Sequence, residues 1–177
     1  AGMLTARGYL AAGIVGGKLY AVGGNFSGGP LNQNEEYDPV TNTWAVKAAM
    51  SIPRYQLSAE VVGGKLYAVG GYNFMYLNSN EEYNPATNTW AAKAALPTPR
   101  RAMGAGAAGG KLYALGGYNG NNLGVNEEYD PGSNIWTTRA AMPTPRDSAG
   151  IGALGGRLYA VSAYLAPLQE KIRGYLE

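Results

Sequence analysis

The side chains available for chemistry in this chain are limited by two absences, because its 177 residues contain no histidine and no cysteine. Ser-His and Cys-His nucleophile pairs need one of these residues, as do most zinc, copper and non-haem iron sites. We therefore predict no catalytic residues, no metal site and no bound cofactor.

Adjacent glutamates are the strongest remaining candidates for acid–base chemistry, since two carboxylates can act together on a glycosidic bond. They occur as Glu35-Glu36, Glu81-Glu82 and Glu127-Glu128. Neighbouring residues of a strand point to opposite faces of its sheet, so the members of a pair would not meet. We interpret the pairs as structural. The same interpretation applies to four recurring arginines, although arginines near one rim could also serve an acidic ligand. They are Arg7, Arg54, Arg100 and Arg146.

These features belong to a repeat. Trp44, Trp90 and Trp136 are separated by two intervals of 46 residues, and the glutamate pairs recur at the same interval. Self-similarity at a fixed period of this length indicates a repeat architecture. The sequence predicts a single domain, residues 1–177, with repeat units at about 7–53, 54–99, 100–145 and 146–177.

The sequence pattern of each unit predicts four short antiparallel strands, which we call a to d. Paired glycines such as Gly16-Gly17 join strands a and b, because glycine readily adopts the positive φ of tight turns. Strand b is apolar at every position, as in Leu19 to Val22, so we expect both of its faces to be buried. Asp38-Pro39 begins the turn between strands c and d, and Asn42 suits its left-handed end. Four such strands per unit are typical of a β-propeller blade.

Two further features make the unit resemble the kelch repeat. A diglycine follows strand b, as at Gly23-Gly24, and six residues separate a tyrosine from a tryptophan, as in Tyr37 and Trp44. The resemblance covers essentially the whole chain. It implies an all-β, kelch-type β-propeller, a family used mostly for protein or glycan binding and occasionally for catalysis. Kelch-like copper oxidases and iron proteins need histidine ligands, which this chain lacks.

The fourth repeat is incomplete. Residues 155–161 match the earlier turn and strand b, but only 171–176 remain for a degenerate strand c, and strand d is missing. The expected fold is therefore a propeller of four repeats, with three complete four-stranded blades and an incomplete fourth. Two arrangements stay open: closure as a small four-blade ring, or completion by another copy in a homo-oligomer. An unclosed array would expose sheet edges and an apolar face, which favours association.

The loops that vary between repeats are expected on one face. In an antiparallel blade the b–c loops and d–a links emerge together, and the nearly invariant a–b and c–d turns emerge opposite. Aromatic and amide side chains in the variable loops suit sugar rings or peptides. The alternative is that Phe74 and Met75 pack down on their blade. The candidate ligand-binding residues in these loops are Phe26, Tyr72, Phe74, Tyr76, Tyr118, Asn121 and Asn122.

Three charged residues complete the candidate binding site. Glu60 replaces a glycine of the other repeats, so one carboxylate is expected near the central channel. Arg101 has no counterpart in the other repeats, and Arg100 precedes it. Both lie near the rim that carries the variable loops.

The sequence therefore predicts a non-catalytic module that recognises a protein or glycan through its b–c loop face. Two alternatives stay open. One is a metal-free sugar isomerase or epimerase that uses Glu60 with Arg100 or Arg101, which the resemblance to some kelch-like proteins suggests. The other is a structural component of a larger surface assembly.

Charge and hydropathy limit the partners. The net charge is +2 and the basic residues are spread along the repeats, so nucleic acid is not an expected partner. No apolar run approaches the ~20 residues of a membrane span. Abundant Asn, Gly and Tyr without Cys or His favour an extracellular or cell-surface protein, and a cytoplasmic location stays open.

Overall fold

A computed structural model describes residues 1–161, which form antiparallel β-sheets joined by turns and loops. None of these residues belongs to a helix capable of crossing a membrane. Three four-stranded sheets follow one another along the chain, each with its strands in sequence order apart from a small inserted hairpin. The prediction of three complete four-stranded blades is therefore confirmed.

The strand bounds follow the repeat units closely. The first sheet contains β1 (Ala11–Val15), β2 (Lys18–Val22), β5 (Asn34–Asp38) and β6 (Thr43–Lys47). The second contains β7 (Ser58–Val62), β8 (Lys65–Val69), β9 (Asn80–Asn84) and β10 (Thr89–Ala92). The third contains β11 (Gly104–Ala108), β12 (Lys111–Leu115), β13 (Asn126–Asp130) and β14 (Ile135–Arg139).

Two hairpins complete the described part of the chain. The fourth repeat contributes β15 (Gly150–Leu154) and β16 (Arg157–Val161), and its predicted strand c, residues 171–176, lies outside the described residues. The hairpin of β3 (Asn25–Phe26) and β4 (Gly29–Pro30) lies in the first b–c loop and is not predicted by the repeat.

The first strands of successive sheets contact one another in series, from β1 to β7, from β7 to β11 and from β11 to β15. No comparable contact joins β15 to β1 within residues 1–161. The described residues thus form an open series of blades. Closure, within the chain or with another copy, stays a prediction.

The turn chemistry agrees with the sequence. Gly16 and Gly17 have φ values of +58° and +78°, and Asn42 has a φ of +54° at the end of the Asp38-Pro39 turn. Each of these positions needs the left-handed region, which glycine and asparagine tolerate better than other residues.

The hydrophobic core lies between neighbouring sheets. Tyr20 on β2 packs against Tyr83 on β9, with ring centroids 5.4 Å apart. Tyr67 on β8 packs in the same way against Tyr129 on β13, at 5.7 Å. Strand b of the second blade is buried from Leu66 to Val69, as predicted, because a sheet lies on each side of it.

The recurring arginines connect one blade to the next. The backbone of Arg54 belongs to the first blade, where its carbonyl accepts from Gly24 N at 2.9 Å. Its side chain reaches the second blade, where Nη2 lies 2.8 Å from a carboxylate oxygen of Glu81 and donates to the carbonyl of Ala68. Arg100 repeats this arrangement with Glu127, at 2.5 Å. Both arginine side chains are fully buried.

The second glutamate of each pair binds side chains of its own sheet. Glu36 accepts a hydrogen bond from the hydroxyl of Tyr20 and forms ion pairs with Lys18 and Lys47, on the strands to either side. Burial alone would raise the pKa of Glu36, but these three donors hold it below its ordinary value. The two carboxylates of a pair therefore have different partners, which confirms their structural interpretation.

Gly70 and Gly63 provide a matched test of blade packing, because their φ values are +57° and +59°. A Cβ on Gly70 would lie 2.6 Å from the carbonyl oxygen of Arg100, whereas a Cβ on Gly63 would have no neighbour within 4 Å. Gly63→Ala should cost about 1 kcal/mol for its left-handed backbone. Gly70→Ala should cost about 1–3 kcal/mol more, because it also displaces the neighbouring link.

Urea unfolding of the two variants measures this difference directly. Equal losses would show that the blades can separate at Gly70 without cost.

Candidate functional site

One rim of the blades is formed where the b–c loop of a repeat meets its d–a link. Tyr55 in a link pairs with Tyr72 in a loop through two backbone hydrogen bonds of 3.1 and 2.8 Å. Arg101 pairs with Tyr118 in the same way, at 3.1 and 2.9 Å. The predicted emergence of both connections on one face is therefore confirmed for these repeats.

A chain of backbone hydrogen bonds joins this rim across the repeats. Gln56 N donates to the carbonyl of Tyr9, Ala102 N to that of Gln56, and Ser148 N to that of Ala102, over 2.7–2.9 Å. All four residues have φ between 50° and 54°, the left-handed region that L-residues rarely adopt. Each such residue costs roughly 1–2 kcal/mol, and strain of this kind is concentrated at functional sites.

Five tyrosines form a continuous row along the rim, and we call them the tyrosine row. Successive ring centroids lie 6.2, 5.7, 5.4 and 6.1 Å apart, with interplanar angles between 48° and 79°. Tilted and edge-to-face contacts of this kind stabilise aromatic pairs. The members, in order of contact, are Tyr9, Tyr55, Tyr72, Tyr76 and Tyr118.

Arg101 lies among three rings of this row. Its guanidinium carbon is 4.9 Å from the ring centroid of Tyr72, 5.4 Å from that of Tyr118 and 5.9 Å from that of Tyr76. Cation–π contacts at these distances contribute about 0.5–1 kcal/mol each at exposed sites. The side chain is half-buried, and within residues 1–161 no carboxylate lies in ion-pair range of it. The structure thus brings together three predicted site residues of the loops and Arg101.

The tip of the second b–c loop projects from the row. Phe74 and Met75 are 69% and 67% exposed, and Phe74 has a φ of +61°. The alternative in which these two side chains pack down on their blade is therefore wrong. The tight turn between Tyr72 and Tyr76, closed by a 3.1 Å bond from Asn73 N to the carbonyl of Met75, directs the tip away from the sheet.

The other loop residues lie on the same rim but outside the row. Phe26 is 56% exposed at the end of β3. Asn121 and Asn122 are exposed in the third b–c loop, where Asn122 bridges to Tyr118. Their role in binding stays a prediction.

Arg100 corrects the predicted site. Its side chain is fully buried and ion-paired with Glu127, and it donates to the carbonyls of Thr98 and Ala114. A ligand at the surface cannot reach this charge, because the link between two blades encloses it. Arg100 therefore cannot act together with Glu60 on a substrate, as one form of the isomerase hypothesis requires. The form that pairs Glu60 with Arg101 stays a hypothesis.

Glu60 lies on β7, one of the first strands that contact each other in series, directly opposite Tyr67 on β8. Burial raises the pKa of its carboxyl above the ordinary value, against the opposing effect of a 2.8 Å hydrogen bond from Val61 N. The carboxylate is not part of the tyrosine row. Within residues 1–161 no three acidic, histidine or cysteine side chains form a group that could hold a metal ion.

Sequence reasoning missed two members of the row, Tyr9 and Tyr55. Both lie in d–a links, immediately after or close to a recurring arginine, where the other repeats have different residues. The predicted fold places the d–a links on the variable face, so the variation of the links between repeats is the signal that identifies these tyrosines.

Comparisons with known proteins agree with this architecture. The model of the Kelch motif matches residues 6–51, 53–97 and 99–143. A solved structure titled "Structure of YjhT" superposes with a TM-score of 0.75 at 18% sequence identity, over 87% of this chain. The match covers 58% of the YjhT chain, so this chain spans less than two thirds of that protein. No curated protein matches the sequence.

Because the carboxyl of Glu60 is partly buried, we expect Glu60→Gln to stabilise the folded protein in a pH-dependent way. Burial raises the folded-state pKa, so ionisation above that value favours the unfolded chain, whereas below the unfolded value both states are protonated. Glu60→Gln should raise the unfolding temperature at pH 7.5, and the gain should vanish below about pH 4, near the ordinary pKa of glutamate.

Thermal unfolding followed by circular dichroism at both pH values tests this. A variant that is less stable than the natural protein at pH 7.5 would show that the carboxylate is stabilised by a partner.

Proposed function

The chain belongs to the kelch repeat family, and from this premise we propose that it is a non-catalytic interaction module that binds a partner protein through the tyrosine row. The supporting observation is that aromatic side chains from several repeats meet on one rim. Links and loops of the first three repeats contribute neighbouring tyrosine rings to one rim, together with Arg101. Tyrosine and arginine are enriched at protein interfaces, where they account for much of the binding energy.

Two features of the rim suit recognition more than packing. The rings lie outside the hydrophobic core, which is formed between the sheets by other side chains. Beside the rings, Phe74 and Met75 expose apolar surface that no described residue covers. Tyrosine also orders at low entropic cost, because its side chain has only two rotatable angles.

A glycan is the second candidate ligand, because aromatic rings beside amide side chains can also bind sugars. The row supports this less strongly. Its rings are tilted against each other, and three of them have Arg101 within 6 Å of their centroids, so little flat ring surface is left for a pyranose.

Removing three rings should abolish binding without unfolding the domain. The combined variant Tyr72→Ala, Tyr76→Ala and Tyr118→Ala deletes the part of the row that surrounds Arg101. The natural protein and the variant would be applied to peptide and glycan arrays. We expect the natural protein to bind peptides and the variant to lose that binding at least roughly tenfold, as expected for hot-spot residues.

Val40→Ser is the matched control, because Val40 is 92% exposed in a c–d turn, away from the row. It should bind like the natural protein, and circular dichroism should show all the proteins folded. Undiminished binding by the folded triple variant would refute the proposal, and binding confined to the glycan array would replace protein with glycan as the ligand.

A further inference from the structure

We propose that Arg101 is a specificity-determining residue that binds the side-chain carboxylate of an aspartate or glutamate in the partner peptide. This inference rests on the proposed function and names the chemistry that the rim selects. Three observations support it. Arg101 has no ion-pair partner within residues 1–161, its guanidinium presents planar N–H donors, and the loop tip beside it exposes apolar side chains.

Arg101 differs from nearly every other described cation. Nine of the twelve lysines and arginines within residues 1–161 form ion pairs with glutamate or aspartate of the same chain. Two more, Arg146 and Arg157, belong to the fourth repeat, whose description ends at Val161. Arg101 belongs to the third repeat, and no acidic side chain within residues 1–161 lies in ion-pair range of it. Its position therefore offers a positive charge to a ligand.

The rings around Arg101 hold that charge in place. Contacts with Tyr72, Tyr76 and Tyr118 restrict an otherwise flexible side chain, so less entropy is lost when a ligand binds. Its backbone is fixed as well, by the two hydrogen bonds to Tyr118. The faces of these rings accept N–H groups only weakly, whereas a carboxylate accepts them strongly.

A carboxylate is the group that best matches these donors. The planar guanidinium presents parallel N–H groups that a carboxylate accepts in pairs, and such charge-assisted bonds are about twice as strong as neutral ones. The half-buried setting strengthens them further, because charges attract more strongly at lower dielectric.

The neighbouring loop tip favours a peptide as the carrier of that carboxylate. Phe74 and Met75 lie in the turn between Tyr72 and Tyr76, both of which contact the guanidinium. The exposed apolar side chains are thus one or two residues along the loop from rings that contact the guanidinium. An extended peptide spaces its side chains at about 3.3 Å per residue, so it can place an acidic and an apolar side chain on the two features together.

The probes for this test are two blocked tetrapeptides, acetyl-Ala-Glu-Ala-Phe-amide and acetyl-Ala-Gln-Ala-Phe-amide. They differ only in the charge of one side chain. Titration of the full chain, followed by the NMR amide signals of residues 72–76, 101 and 118, gives both dissociation constants. We expect the glutamate peptide to bind roughly tenfold more tightly, as the loss of a charge-assisted hydrogen bond implies. Equal affinities would overturn the inference.

Three variants assign the effect to the guanidinium. Arg101→Gln should bind both peptides equally, and Arg101→Lys should keep only part of the preference, because an ammonium lacks the planar pair of donors. Arg157→Gln removes an exposed positive charge from the first residue of β16 and should keep the full preference. An undiminished preference in Arg101→Gln, or an equal loss in Arg157→Gln, would contradict the assignment.

A third probe, glucuronate with glucose as its neutral partner, distinguishes the sources of a carboxylate. Glucuronate that binds more tightly than the glutamate peptide would overturn the peptide assignment and favour an acidic sugar. Failure of this inference is separable from failure of the proposed function. If both peptides bind equally and the triple tyrosine variant binds neither, the interaction module stands and the carboxylate specificity fails.

Discussion

The buried ion pairs of Arg54 with Glu81 and of Arg100 with Glu127 determine how the blades of this protein are arranged. Each arginine belongs to one blade by its backbone and to the next by its side chain. A charge enclosed in this way needs its counter-ion, since an unpaired buried charge is strongly destabilising. The pair thus makes adjacent sheets dependent on each other, in addition to the apolar surface buried between them.

The same pairs determine where the rim residues lie. Tyr55 immediately follows Arg54, and Arg101 immediately follows Arg100. Each of these rim residues is therefore adjacent in sequence to an arginine that is held between two blades by its ion pair. Backbone hydrogen bonds then join successive links at left-handed residues. A geometry that recurs in each link therefore presents residues that differ from repeat to repeat, which is how one scaffold can carry a specific binding surface.

Most of the fold could be predicted from the sequence, because its determinants recur in each repeat. The diglycine turns, the Asx-Pro turns and the apolar strand b each appear several times and confirm one another. The site could be predicted only in part. Tyr9 and Tyr55 occur once each, so no periodicity indicates that their rings meet. Arg100 and Arg101 are adjacent and chemically alike, yet one is enclosed between blades and the other lies among tyrosine rings. That difference depends on which side chains surround each position, and those side chains are distant along the sequence.

The most direct test of the interblade role is the stability of Glu127→Gln, which keeps the shape of the side chain and removes the counter-charge of Arg100. Urea unfolding should show a loss of about 3–5 kcal/mol, as expected when one partner of a buried pair is removed. Lys93→Met, which breaks a partly exposed pair with Glu82, should cost about 1 kcal/mol or less. A Glu127→Gln variant as stable as the Lys93→Met control would contradict the dependence of the blade arrangement on this ion pair.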